Sequence, residues 1–163
     1  SSLASITHSN AMHRLSLTAL TAALALLPSS VFRPLSAQQT RAESSAYTVT
    51  STHADVIAFV DSLEKAFPGR FVRGQIGTSG QGRVLPYLLV SRPLVRDAAE
   101  ARRSGRPVVY VQGNIHGGEV EGKEALLALL RDLLKAPQPN VLDSIVLIAV
   151  PIYNVAQRLS VRA

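Results

Sequence analysis

The sequence predicts an α/β fold, and three observations carry that prediction. An apolar run at Val108 to Gln112 breaks into a short polar loop, and a helical pattern follows at once. A later run, "SIVLIAVP", is apolar at alternate positions and at their neighbours alike, as in a strand covered on both faces. Strand, helix and strand in that order make a parallel unit with a right-handed crossover. Upstream, two short apolar runs flank a Gly-rich connector, which reads as an antiparallel hairpin.

Residues 38–50 are polar and rich in Ser, Thr and Ala, the composition of a linker. In "STHADVIAFVDSLEKAFPGR", Thr52 can cap a helix with Asp55 three residues on, and Val56, Phe59, Val60, Leu63 and Phe67 share one face. Pro68-Gly69 stops that helix. The hairpin runs are "FVRGQIG" and "VLPYLLV". Their connector approaches the spacing of a phosphate-binding loop, but Arg83 and Val84 stand where Lys and Ser or Thr are required. That loop also needs a helix after it to attract the anion, and here Pro86 lies in a strand pattern. "RPLVRDAAEARRSGRP" is a polar excursion of one or two helical turns. The second long helix is predicted from about 119 to 134, with Ala125, Leu126, Leu129, Leu130 and Leu133 at helical spacing.

The chain has 163 residues, room for one ordinary domain. It has no cysteine, which excludes disulfides, thiolate metal sites and cysteine-linked lipid. The net charge is +6, but Arg41, Arg70, Arg73, Arg83, Arg92 and Arg96 are scattered and no aromatic residues interleave with the one basic cluster. They read as a solvated face, so no nucleic-acid partner is expected. Residues 1–11 have no periodicity and read as an upstream translated segment. From Met12, a basic Arg14, an apolar stretch at 15–27, Pro28 and a small residue at Ala37 have the layout of a signal peptide, residues 12–37. That stretch is shorter than the roughly 20 residues a spanning helix needs, so no stable membrane anchor is expected. The expected location is secreted or periplasmic.

Candidate chemistry gathers in "GNIHGGE". In an open parallel sheet, ligands collect outside the carboxyl ends of the strands, which is where His116 and Glu119 fall. Gly117-Gly118 leaves room for the chain to turn and for the two side chains to converge. Imidazole nitrogen with carboxylate oxygen suits zinc. A glutamate in the first helical turn would also be favoured in its ionised form by the helix dipole, although acidic residues are common there for that reason alone. Catalytic zinc commonly takes three protein ligands, and neither His53 on the first helix nor His8 or His13 qualifies as the third.

The segment "GNIHGGEVEGKEALLALLRDLL" resembles the zinc-binding turn of the carboxypeptidase A-type zinc metallopeptidases, with His-x-x-Glu after a central strand. "GTSGQGRVLPYLLVS" is similar to that family's G-x-S-x-x-G-R hairpin, and "VLIAVPIYN" resembles the strand leading to its Asn-Pro-Asp-Gly turn. The resemblance runs over about residues 51–154. It implies the amino-terminal part of a mixed, mostly parallel sheet with helices on both faces, truncated relative to the whole domain. It implies that His116 and Glu119 are the first two ligands of one Zn²⁺ ion. The third ligand, the general-base glutamate and the substrate-binding arginines would lie beyond the last residue, so no catalytic residue is assigned within this chain. The implied activity is zinc-dependent hydrolysis at the carboxyl terminus of a peptide or amino-acid amide substrate, with this fragment inactive alone. The alternatives are an N-acyl amino-acid deacylase or cell-wall peptide amidase of the same superfamily, or a non-catalytic binding protein. Two departures stand out. Gly118 replaces an arginine common before the glutamate ligand, and residues 155–163 form an aberrant tail where Pro-Asp-Gly is expected, which reads as a frame or contig error. A truncated sheet of this kind is expected to leave the strand at 145–150 with exposed apolar surface and an unpaired edge.

Overall fold

The computed structural model describes residues 38–155. Residues 1–11, read above as an upstream segment, residues 12–37, read as a signal peptide, and the tail from residue 156 lie outside them. Helix α2 (His53–Ala66) starts as its sequence dictates: Thr52 accepts from the Asp55 N–H, and the Asp55 carboxylate accepts from the Thr52 N–H at 2.8 Å. Val56, Phe59, Val60 and Leu63 are buried along one face. Strands β1 (Phe71–Thr78) and β2 (Val84–Val90) form the antiparallel hairpin. Its turn is closed by the Ser79 N–H donating to the Arg83 carbonyl at 2.9 Å. A short helix α3 (Ala98–Arg103) follows, then β3 (Val108–Gln112), α4 (Glu121–Lys135), a 3₁₀ turn (Val141–Asp143) and β4 (Val146–Val150).

The sheet order is β1-β2-β4-β3. Strand β4 pairs antiparallel with β2 and parallel with β3, so the described sheet is mixed. Alternation sends Leu88, Val90, Leu147 and Ala149 to one face, against α2 and α4. Leu89, Val146 and Ile148 point to the other, where Val95 and Ala101 cover them. Helical segments therefore pack on both faces. Among the described residues no helix is long and apolar enough to cross a membrane.

The structure corrects four local expectations. Strand β4 is not the open edge: it lies between β2 and β3 with Val146, Leu147, Ala149 and Val150 buried. The edge is β3, which leaves Val108, Val109 and Tyr110 exposed. An apolar run reports burial but not strand order, which is set by pairing between distant segments. In α4 the buried positions are Lys123, Leu126, Leu127, Leu130 and Leu134, while Ala125 and Leu129 face solvent. The leucine-rich run offers two adjacent stripes of helical period, and packing against α2 selects one. Arg92 is buried rather than solvated, with its guanidinium donating to the Leu133, Leu134 and Ala136 carbonyls at the end of α4. A cation there meets the negative end of the helix dipole and carbonyls that lack intrahelical partners. Finally, the segment read as a polar linker is docked. It holds a four-residue helix, α1 (Arg41–Ser44), tied to α4 by the Arg131 guanidinium, which donates to Glu43 at 2.5 Å and to the Gln38 carbonyl at 3.1 Å.

Candidate metal site

The site is built where β3 ends. Its β-branched and aromatic sequence, VVYVQ, suits a strand, and the parallel ladder with β4 continues one step further: the Gly113 N–H donates to the Val150 carbonyl at 2.9 Å. Gly113 must be glycine, because a Cβ there would lie 2.9 Å from backbone atoms of Gly122 and Lys123 in the first turn of α4. Asn114 then takes a left-handed conformation, φ 57°, which asparagine tolerates better than most residues. Residues 115–120 form the loop, closed by the Glu119 N–H donating to the His116 carbonyl at 3.0 Å.

The structure brings the two predicted ligands together. His116 Nδ1 lies 3.0 Å from Glu119 Oε1, with the side chains 75% and 67% exposed. A polar contact so exposed contributes little to stability, so the pair is poorly explained as a structural strut. Two donors each ~2.05 Å from one tetrahedral zinc ion would be ~3.3 Å apart. The observed separation reaches that value with a small side-chain adjustment, and the nitrogen and oxygen donors match zinc's preferences, so the pair fits half of such a site. Among the described residues no group of three His, Cys, Asp or Glu side chains could hold a metal. His53 is elsewhere, its Nε2 2.7 Å from the Val84 carbonyl.

Two details differ from the sequence reading. Helix α4 begins at Glu121 after Val120, so Glu119 precedes the first turn instead of lying in it. The left-handed residue of the loop is Asn114; neither Gly117 nor Gly118 has positive φ, and a Cβ on Gly118 would meet open space. The double glycine keeps bulk away from the pair, while Asn114 turns the chain.

Three residues that matter were missed in the sequence. Lys123, in the first turn of α4, is wholly buried and donates to the Ser51 carbonyl. Its neighbour Glu124 accepts from Thr50 Oγ1 at 2.8 Å, the Ser51 N–H at 2.6 Å and Ser51 Oγ at 2.9 Å. Together they fasten residues 50–51 to the helix behind the loop. Asn114 is the third, and its Nδ2 donates to the Asn154 carbonyl at 2.5 Å. The available signals were a lysine one turn ahead of Leu126 and Leu127 on the apolar stripe, and an asparagine between a strand and a tight loop. Beside the loop, a cleft of about 370 Å³ opens between residues 79–81 of the hairpin turn, Ile115 and residues 153–155. The His116–Glu119 pair lies outside that cleft.

Comparison with known proteins bears on the family and the fold. A family model described as zinc carboxypeptidase matches residues 56–155. Among solved structures, the chain is similar to carboxypeptidase A from Helicoverpa armigera, with 24% identity, 65% of this chain and 25% of that chain covered, and a TM-score of 0.55. It is also similar to thrombin-activatable fibrinolysis inhibitor, at 18% identity, 72% and 30% coverage and a TM-score of 0.56. Bovine thrombin-activatable fibrinolysis inhibitor in complex with tick carboxypeptidase inhibitor gives 16%, 68%, 33% and 0.55. At these identities the likeness is one of fold, and the chain spans between 25% and 33% of the length of those structures. No curated protein sequence matches. The family model covers residues 56–155, more than half of the chain, and takes in the hairpin, the parallel unit and the His116–Glu119 loop, so the chain belongs to the zinc carboxypeptidase family.

Proposed function

We propose that the chain supplies the first two ligands, His116 and Glu119, of a one-zinc metallocarboxypeptidase site that hydrolyses peptide bonds at the carboxyl terminus. The observation that supports this reading is the convergence of His116 Nδ1 and Glu119 Oε1 at 3.0 Å in the strand-to-helix loop. When bound, zinc polarises a scissile carbonyl and acidifies water. The residues of this chain orient that ion: β3 and Gly113 fix where the loop leaves the sheet, and the absence of side chains at 117–118 leaves the approach to the pair open. The family resemblance implies a third ligand and a general base besides this pair, and among the described residues no third ligand stands with His116 and Glu119. Peptides or amino-acid amides with a free carboxyl end are the proposed substrates.

Zinc titration followed by dialysis tests the ligand assignment. Two ligands should hold zinc weakly and below one equivalent, His116→Ala should remove that binding, and Glu119→Gln should weaken it strongly because an amide is a poorer ligand than a carboxylate. A dialysis-stable one-to-one complex unaffected by His116→Ala would place the ligands elsewhere. Export completes the proposal and rests on residues 12–37 alone. Intact-mass analysis of exported material should give a chain starting at Gln38; an uncleaved product retained inside the cell would refute it.

A further inference from the structure

Asn114 holds a position that neither the strand nor the ligand pair accounts for. It is 3% exposed, its φ is 57°, and its side chain is bound across the chain that follows β4. Besides the bond from Nδ2 to the Asn154 carbonyl, the Asn154 N–H donates to the Asn114 carbonyl at 2.9 Å and the Tyr153 N–H to the Gly113 carbonyl at 3.1 Å. On the far side of that segment, Arg83 donates to the Val155 carbonyl at 2.9 Å. Residues 153–155 are thus clamped between the hairpin turn and Gly113-Asn114, and the ligand loop departs from the clamp two residues before His116.

We propose that Asn114 is a positioning residue for the His116–Glu119 pair, acting through the backbone by locking residues 113–114 to residues 153–154. The proposal rests on the reading of that pair as the metal site. Its logic is that of groups that fix the direction of a metal ligand, here applied one step further back along the chain. A glycine at 114 keeps access to positive φ and loses the amide bond. An aspartate keeps the size and the tolerance of positive φ, but faces the Asn154 carbonyl with an acceptor instead of a donor.

The test is made on the chain from Gln38 onward, by zinc titration and by NMR order parameters of residues 115–120. In Asn114→Asp and Asn114→Gly, zinc affinity should fall by about tenfold or more. The order parameters of the loop should drop from about 0.85 towards 0.6, while those of α4 and β3 stay unchanged. Should the aspartate variant fail to fold, the glycine variant carries the test. Loop order and zinc affinity both within error of the parent, with only stability altered, would overturn the proposal. Zinc that fails to bind the parent at His116 would refute the metal reading, and the metal-free order parameters would still decide whether Asn114 positions the loop.

Discussion

Glu124→Ala is expected to destabilise the fold by about 3–5 kcal/mol, because it removes the adjacent counter-charge of a buried cation and leaves only Asp55. The Lys123 side chain is 0% exposed and that of Glu124 13%, and their charged atoms are 3.8 Å apart. Alanine at 124 also strands the three donors from Thr50 and Ser51 that now meet the carboxylate. Lys123→Met keeps most of the buried stem and removes the ammonium along with its desolvation, so its cost should be about 1 kcal/mol. Urea unfolding with an unchanged slope distinguishes them. Equal losses from both variants would contradict the asymmetry. Burial holds the Lys123 ammonium below the ordinary 10.5, with the charges of Glu124 and Asp55 opposing the shift. Between that depressed value and 10.5 the unfolded chain keeps a proton the folded chain has lost, so stability rises with pH across this interval. Lys123→Met should flatten the rise.

Gly113→Ala should cost about 1–3 kcal/mol through overpacking. The new methyl would lie 2.9 Å from the Gly122 carbonyl carbon and oxygen and from the Lys123 nitrogen, backbone atoms with no rotamer to change. Relief requires the start of α4 to move away from β3, which displaces the loop between them. Gly118→Ala provides the contrast within the same loop. Its Cβ enters open space at an ordinary φ, so the change in stability should stay within about 0.5 kcal/mol. Thermal unfolding of the two variants under one set of conditions checks this; indistinguishable midpoints would mean that β3 and α4 are not in close contact.

Much of this architecture was legible because it is encoded locally. Thr52 with Asp55 announces α2, the Gly-rich connector announces the hairpin, and the two apolar runs announce β3 and β4 with a helix between them. The His-x-x-Glu spacing was legible too, since three residues after a strand leave few places for the side chains to go. What could not be read depends on pairing across distance. The insertion of β4 between β2 and β3 is a choice among topologies that leave the same hydrophobic pattern. The phase of α4 hides in a run of leucines that satisfies two stripes. The burial of Arg92 depends on carbonyls 41–44 residues away at the end of α4. Lys123 and Asn114 look like a surface charge and a loop amide until residues 50–51 and 153–154 arrive beside them.

Whether His116 and Glu119 bind one zinc ion together is decided by zinc-edge anomalous diffraction from crystals grown with the metal. Shared ligation should give an anomalous peak ~2.0–2.1 Å from His116 Nδ1 and ~2.0–2.2 Å from a Glu119 carboxylate oxygen. Zinc bound at other side chains, with the 3.0 Å contact between His116 and Glu119 left intact, would contradict it.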